Sequence, residues 1–275
     1  MDPLAVYLTA LLLVGAVVGI ASGLFGVGGG FLMVPVLFWA FGLLGVDPET
    51  ALRTAFGTSL AVVIPTAASG AWAHHCRQCV RWDAIRGMGP SAALAAVAGA
   101  ALSTRVPGRP LELLLGIMLC VAAVQLLMQR PSCDYGAEER ALSLGGYVAL
   151  GLPGGLLSGL LGIGGGIVVV PLLSLVLRYP VRAAVGTSTL VILCAALGGV
   201  AGYALATPVA AVLPGSIGYV NLPGAAALAL TSVPAALAGA RLAHACPPRL
   251  LRMALAAVMV LFGLVMLDLP RYLGA

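Results

Sequence analysis

An all-α membrane protein built from two inverted repeats is the fold class this sequence predicts, each repeat of about five helical segments with one short, Gly/Pro-interrupted helix. Three observations predict it. The 275 residues are 61% apolar and only 8% charged, with a mean hydropathy of +1.10, whereas an average soluble domain is about 25% charged. So little polar surface cannot cover a water-soluble globule, which excludes a soluble enzyme and a disordered chain. Apolar runs of membrane-spanning length recur along the chain, and one glycine-rich element occurs twice.

The apolar runs fall at 4–22, 30–44, 51–73, 84–103 and 110–128, then at 142–159, 166–177, 182–205, 221–243 and 249–267. A bilayer core needs about 20 apolar residues per helix, and eight of these runs are long enough. The runs at 30–44 and 166–177 would reach only about 18–23 Å as helices. Between the two sets lies a charged linker, 129–141, expected in the cytoplasm, so the chain divides into a first repeat at 1–128 and a second at 142–275. The start Met1-Asp2-Pro3 lacks the positive charge of a secretory leader, so the first run reads as a span that stays.

All fourteen basic side chains are arginines, giving a net charge of +5. In a membrane protein such an excess is orientation charge, concentrated in cytoplasmic loops, rather than a signal for nucleic acid. With ten crossings and the N-terminus outside, ten arginines fall inside and four outside; with eight crossings the split is eight to six. The charges therefore favour ten.

Residues 15–37 align with 151–173 at a constant offset of 136, with 12 identities in 23 positions. The likeness resumes at Arg53–Ser59 against Arg182–Ser188 and, more faintly, at 95–109 against 235–249. Each half holds five segments, and five is odd, so the second copy is expected upside down. Inverted repeats are a mark of secondary transporters, whose alternating access needs two similar halves that exchange roles.

Gly15, Gly19 and Gly23 recur every four residues, as do Gly151, Gly155 and Gly159, which predicts close helix packing and no chemistry. The triplets Gly28-Gly29-Gly30 and Gly164-Gly165-Gly166 differ. Each lies between a spanning helix and a short apolar piece containing Pro35 or Pro171. A glycine run breaks the helix and leaves backbone N–H groups free at the start of the next, where the helix dipole favours an anion. Thr58 and Ser59, and their counterparts Thr187 and Ser188, offer hydroxyl donors to the same guest without a fixed charge that would trap it. Arg53 and Arg182, just upstream, are candidates for attracting anions.

This doubled G-x-G-G-G-x-x-x-x-P-x-L element, each copy followed by an arginine-led G-T-S, resembles the sulfite exporter TauE/SafE family of membrane permeases from about Leu4 to Leu267. The resemblance implies a multi-span permease of the cell (inner) membrane that carries small sulfur-containing anions, such as sulfite or organosulfonates. It carries over to Gly28, Gly29, Gly30, Pro35, Gly57, Thr58 and Ser59, and to Gly164, Gly165, Gly166, Pro171, Gly186, Thr187 and Ser188. The loop His74-His75-Cys76-Arg77-Gln78-Cys79 departs from the family pattern. Its C-x-x-C pair with nearby histidines invites a metal or redox reading, but a closed zinc site wants a second, spaced pair of ligands.

No Asp, Glu, Lys or His occupies the middle of any span, so the usual proton relay is missing. No cofactor is expected and no enzyme activity. The expected activity is an anion permease whose substrate binds near the bilayer midplane; the alternative is a membrane thiol-redox protein using Cys76 and Cys79. The partners are a small-molecule anion and the lipid bilayer, and the oligomeric state is not legible from the sequence.

Overall fold

The computed structural model describes residues 11–12, 15–16, 18–20, 30–128, 142–208, 213–243 and 248–273. It is helical almost throughout, and each described helix falls on one of the apolar runs. The element order is α1 (Gly30–Leu43), α2 (Pro48–Cys76), α3 (Trp82–Ser103), α4 (Gly108–Met128), α5 (Leu144–Leu161), α6 (Gly166–Leu175), α7 (Val181–Leu205), a two-stranded hairpin of β1 (Ser216–Ile217) and β2 (Val220–Asn221), α8 (Leu222–Ala243) and α9 (Pro248–Leu273). Residues 11–20, where described, are also helical. The linker 129–141 lies outside the described residues.

Five helices, α2, α3, α4, α5 and α7, are long and apolar enough to cross a membrane. Within the described residues α8 and α9 contribute shorter apolar stretches, Leu222–Ala235 and Met253–Leu267. Leu94, Leu205 and Leu230 point their side chains outward on three different helices. An apolar exterior of this kind is stable only against lipid. The short α1 and α6 run straight through Pro35 and Pro171, each the sixth residue of its helix. The prolines therefore remove one backbone donor per helix without ending it.

Local chemistry explains the helix starts. Asp47 precedes Pro48 at the first helical position of α2, and its carboxylate accepts from the Thr50 N–H at 3.2 Å. Ser143 caps α5 by accepting from the Gly146 N–H. The turn from α5 into α6 depends on glycine: Gly162, Gly164 and Gly165 have φ of 67°, 82° and 75°, in the left-handed region that disfavours any side chain.

Helix packing follows the described glycines of the stripes, as expected; Gly23 lies outside the described residues. Gly151, Gly155 and Gly159 on α5 meet Met88, Ala92 and Ala96 on α3, so close that a methyl group at any of the three would overlap backbone. Across the molecule, Gly15 and Gly19 meet Leu228 and Ser232 on α8 in the same manner. In both cases the striped helix belongs to one half of the sequence and its partner to the other. Gly116 and Gly263 form a separate close approach between α4 and α9.

Candidate functional site

The two triple-glycine elements come together. A side chain at Gly30, the first residue of α1, would strike the Ile163 carbonyl oxygen and Val63. Gly164 contacts the same Val63 and also Ile192. The starts of α1 and α6 therefore converge, with Val63 of α2 and Ile192 of α7 packed against them. Gly28 and Gly29 lie outside the described residues. Gly165 is the N-cap of α6 and has no side chain to offer; its carbonyl accepts from the Val168 and Val169 N–H groups at 3.0 Å. The N–H groups of Gly166 and Ile167 meet no backbone carbonyl among the described residues, as the first turn of a helix requires.

Helix α2 lines this turn with one face. Phe56 packs on Gly162, the Ser59 hydroxyl donates to the Gly162 carbonyl at 2.7 Å, and Val63 reaches Gly164. These positions, three and four residues apart, lie on one side of a helix. Ser59 also lies 2.9 Å from the Phe56 carbonyl oxygen one turn back.

The rest of the G-T-S motif has a use that the sequence does not reveal. Gly57 admits the Tyr219 carbonyl, and the Thr58 hydroxyl accepts the Asn221 N–H at 3.0 Å. In the other half, Gly186 admits the Cys79 carbonyl, and the Thr187 hydroxyl accepts the Arg81 N–H at 3.0 Å. Each threonine thus receives the residue that immediately precedes a long helix of the opposite half: Asn221 before α8, Arg81 before α3. Ser188 donates to the Val185 carbonyl at 2.9 Å. Its first-half analogue binds Gly162; the matching Gly26 lies outside the described residues. All four hydroxyl residues are buried.

Around Asn221 the chain forms the β1–β2 hairpin, with Ser216 opposite Asn221 and Ile217 opposite Val220. The Asn221 side chain donates to Ser216 Oγ at 3.0 Å and accepts from the Gly224 N–H at 2.7 Å, capping α8. The apolar runs leave the residues before 221 as a plain connection and begin a helix there; the run Asn221-Leu222-Pro223, a capping residue just ahead of proline, is the signal that marks the cap. Tyr203, fully buried on α7, donates its hydroxyl to the Gly159 carbonyl at 2.8 Å, and its own carbonyl accepts the Tyr219 N–H at 3.0 Å. It joins the hairpin to α5.

Arg53 is buried and engaged. Its guanidinium donates to the Ser103 and Val106 carbonyls, at 3.3 and 3.1 Å, and pairs with Glu49 at 3.3 Å. It ties the start of α2 to the end of α3, and Glu49 completes the tie by accepting the Gly108 N–H. Arg182 sits in the first turn of α7, and its side chain lies outside the described residues. Cys76 is exposed and Cys79 half-buried, both as free thiols. No group of three His, Cys, Asp or Glu side chains gathers to hold a metal among the described residues.

The profile of the family described as sulfite exporter TauE/SafE matches residues 11–266, nearly the whole chain. The chain belongs to this family. It is 33% identical to a probable membrane transporter protein of Methanocaldococcus jannaschii, over 94% of this chain and 95% of that one. A probable membrane transporter protein of Haemophilus influenzae is 26% identical over 82% and 85% of the two chains. The probable membrane transporter protein YdhB of Bacillus subtilis is 32% identical over 70% and 77%. No solved structure matches. With five apolar helices of spanning length, this TauE/SafE chain is a multi-pass membrane protein of a transporter family.

Proposed function

We propose that the protein is a secondary permease for small anions, sulfur-containing ones such as sulfite or organosulfonates, in the cell membrane. The anion binds near the bilayer midplane, where the starts of α1 and α6 meet. The observation that carries this reading is the convergence of those two helix starts at glycine: Gly30 against Ile163, and Gly164 against the same Val63. Two helix dipoles present their positive ends to one region, and bare N–H groups suit an oxyanion that has shed its water. The family description, sulfite exporter, supplies the class of guest.

The inverted-repeat architecture belongs to the same proposal. Its support is the reciprocity of contacts: Thr58 with Asn221 N and Thr187 with Arg81 N, Gly57 with Tyr219 and Gly186 with Cys79, Gly15 with Leu228 and Gly151 with Met88. Each pair is the other with the halves exchanged, the relation a two-fold axis in the membrane plane generates. Ser59 braces α2 against the glycine turn at Gly162, while Ser188 bonds back within its own helix. Thr58 and Thr187 each accept one backbone N–H and keep a hydroxyl proton, the donor we assign to the permeating anion. Arg53 contributes by holding α2 to α3.

An anion leaving an inside-negative cell runs downhill by about 2.3 kcal/mol per charge per 100 mV, so export needs no coupling ion. The test is flux in liposomes reconstituted with the purified chain, across sulfite, organosulfonates and carboxylates, with and without an imposed voltage. Saturable, voltage-sensitive sulfite or sulfonate flux is the expected result; its absence for every anion defeats the reading.

A further inference from the structure

Ser158 lies on the last full turn of α5, completely buried, and its hydroxyl has no hydrogen-bond partner among the described residues. A lone serine in an apolar helix ordinarily donates to a carbonyl three or four residues back. Ser91, Ser188, Thr66, Thr189 and Thr231 all do so here. Ser158 does not. A buried hydroxyl left without a partner costs about 1–3 kcal/mol, so its persistence calls for a reason. Two other buried serines share this state, but Ser103 closes α3 and Ser232 lies within α8 against Gly19.

The surroundings of Ser158 point to a guest. A Cβ at Gly165 would sit 3.3 Å from Ser158 Cβ, so this side chain faces the N-cap of the ten-residue helix α6. That cap has no side-chain hydrogen bond, and the next two N–H groups, of Gly166 and Ile167, find no backbone acceptor among the described residues. A hydroxyl without a partner thus belongs to a residue packed on the N-cap that precedes two amides without a backbone acceptor among the described residues, and all three groups can donate.

We propose that Ser158 is a substrate-contacting residue: its hydroxyl, with the N–H groups of Gly166 and Ile167, forms a three-donor subsite for the oxygen atoms of a small oxyanion. This rests on the anion-permease reading and adds a residue outside the G-T-S and triple-glycine sets. The subsite belongs to the second half of the chain; the residue matching Ser158 in the first half, Ser22, lies outside the described residues.

The test uses the full-length protein, purified and reconstituted, with sulfite as the probe. Ser158→Ala removes the donor and its unmet hydrogen bond, so unliganded thermal stability should hold or rise. KM for sulfite should climb about tenfold or more, the worth of a hydrogen bond to a charged group, with little change in maximal flux. The stabilisation that sulfite gives the wild type should shrink in parallel. Ser158→Cys, close in size with a weaker donor, should fall between the two and covers a failure of the alanine variant to fold. A wild-type KM in both variants overturns the proposal. So does a Ser158→Ala protein that loses only a stabilisation specific to sodium over choline, because the hydroxyl would then serve a cation through its lone pairs. Absence of sulfite flux in the wild type itself defeats the permease reading, a separate outcome from flux that ignores Ser158.

Discussion

Two joints hold the halves of this molecule together by the same backbone hydrogen bond, and they are sealed in opposite ways. At the first, Thr58 receives an Asn221 N–H that is buried within a neutral hairpin, flanked by Tyr203 and Tyr219. At the second, Thr187 receives the Arg81 N–H at the exposed end of the turn that follows α2, whose last turn carries His74 and His75 and which continues through Arg77. What is shared is a glycine to admit a carbonyl and a hydroxyl to accept an amide. What differs is the pair of residues that enter the joint, Cys79 and Arg81 against Tyr219 and Asn221, on either side of a shared valine. The second joint takes the backbone of Cys79 and Arg81, with the His74 Cβ also packed at Gly186.

The sharpest way to break the comparison is to fill the glycines. Gly57→Ala and Gly186→Ala each drive a methyl into a carbonyl oxygen. Both should cost about 3 kcal/mol or more by overpacking, seen as collapsed yield of folded protein after detergent extraction. A tolerated alanine at either position would show that its joint opens in the resting protein.

Thr58→Val and Thr187→Val then separate the two joints. Each leaves an amide without its acceptor, a loss of about 1–3 kcal/mol when no water can reach it. The Asn221 bond is buried, whereas the Arg81 bond is only partly buried and lies at an exposed residue, where water is better placed to replace the acceptor. Thr58→Val should therefore lower the midpoint of thermal unfolding more than Thr187→Val, and a serine at either site should restore most of the loss. Equal shifts would mean that the loop joint is as dry as the hairpin joint. Asn221→Ala comes next, because it removes the cap of α8 and the bond to Ser216 and should cost about 1 kcal/mol in the same assay. The smallest effect belongs to Cys76→Ser with Cys79→Ser, expected within about 0.5 kcal/mol as a surface change, with anion flux intact. Loss of flux in that double variant would revive the thiol reading.

The helices were legible because lipid imposes a length and a composition on each, and the runs from 30 onward coincide with α1–α9 to within a few residues. The glycine stripe was legible for the same reason: a four-residue repeat of Gly151, Gly155 and Gly159 has one packing meaning. What stayed hidden is which segments touch. Sequence identity relates Gly57 to Gly186, but neither Tyr219 nor Cys79 carries any mark that its carbonyl will fill the space above a glycine. The G-T-S hydroxyls read as donors to a guest, and nothing in the sequence signals that three of them, Thr58, Ser59 and Thr187, also hold backbone of the other half. Arg53 read as an attractor and is tied to the end of α3. Ser158 stood in full view inside the repeated motif, and its significance depends on an unmet hydrogen bond that only three dimensions reveal.

The crossed packing of the glycine stripes also bears on how the protein is made. The face of the first helix that carries Gly15 and Gly19 meets Leu228 and Ser232, and α3 meets α5. When the ribosome has released the first 128 residues, none of those partners has yet been synthesised, and the early helices must wait in the bilayer with their smooth faces uncovered. Assembly is thus completed by the last third of the chain, and the two halves expressed as separate polypeptides should accumulate only when produced together.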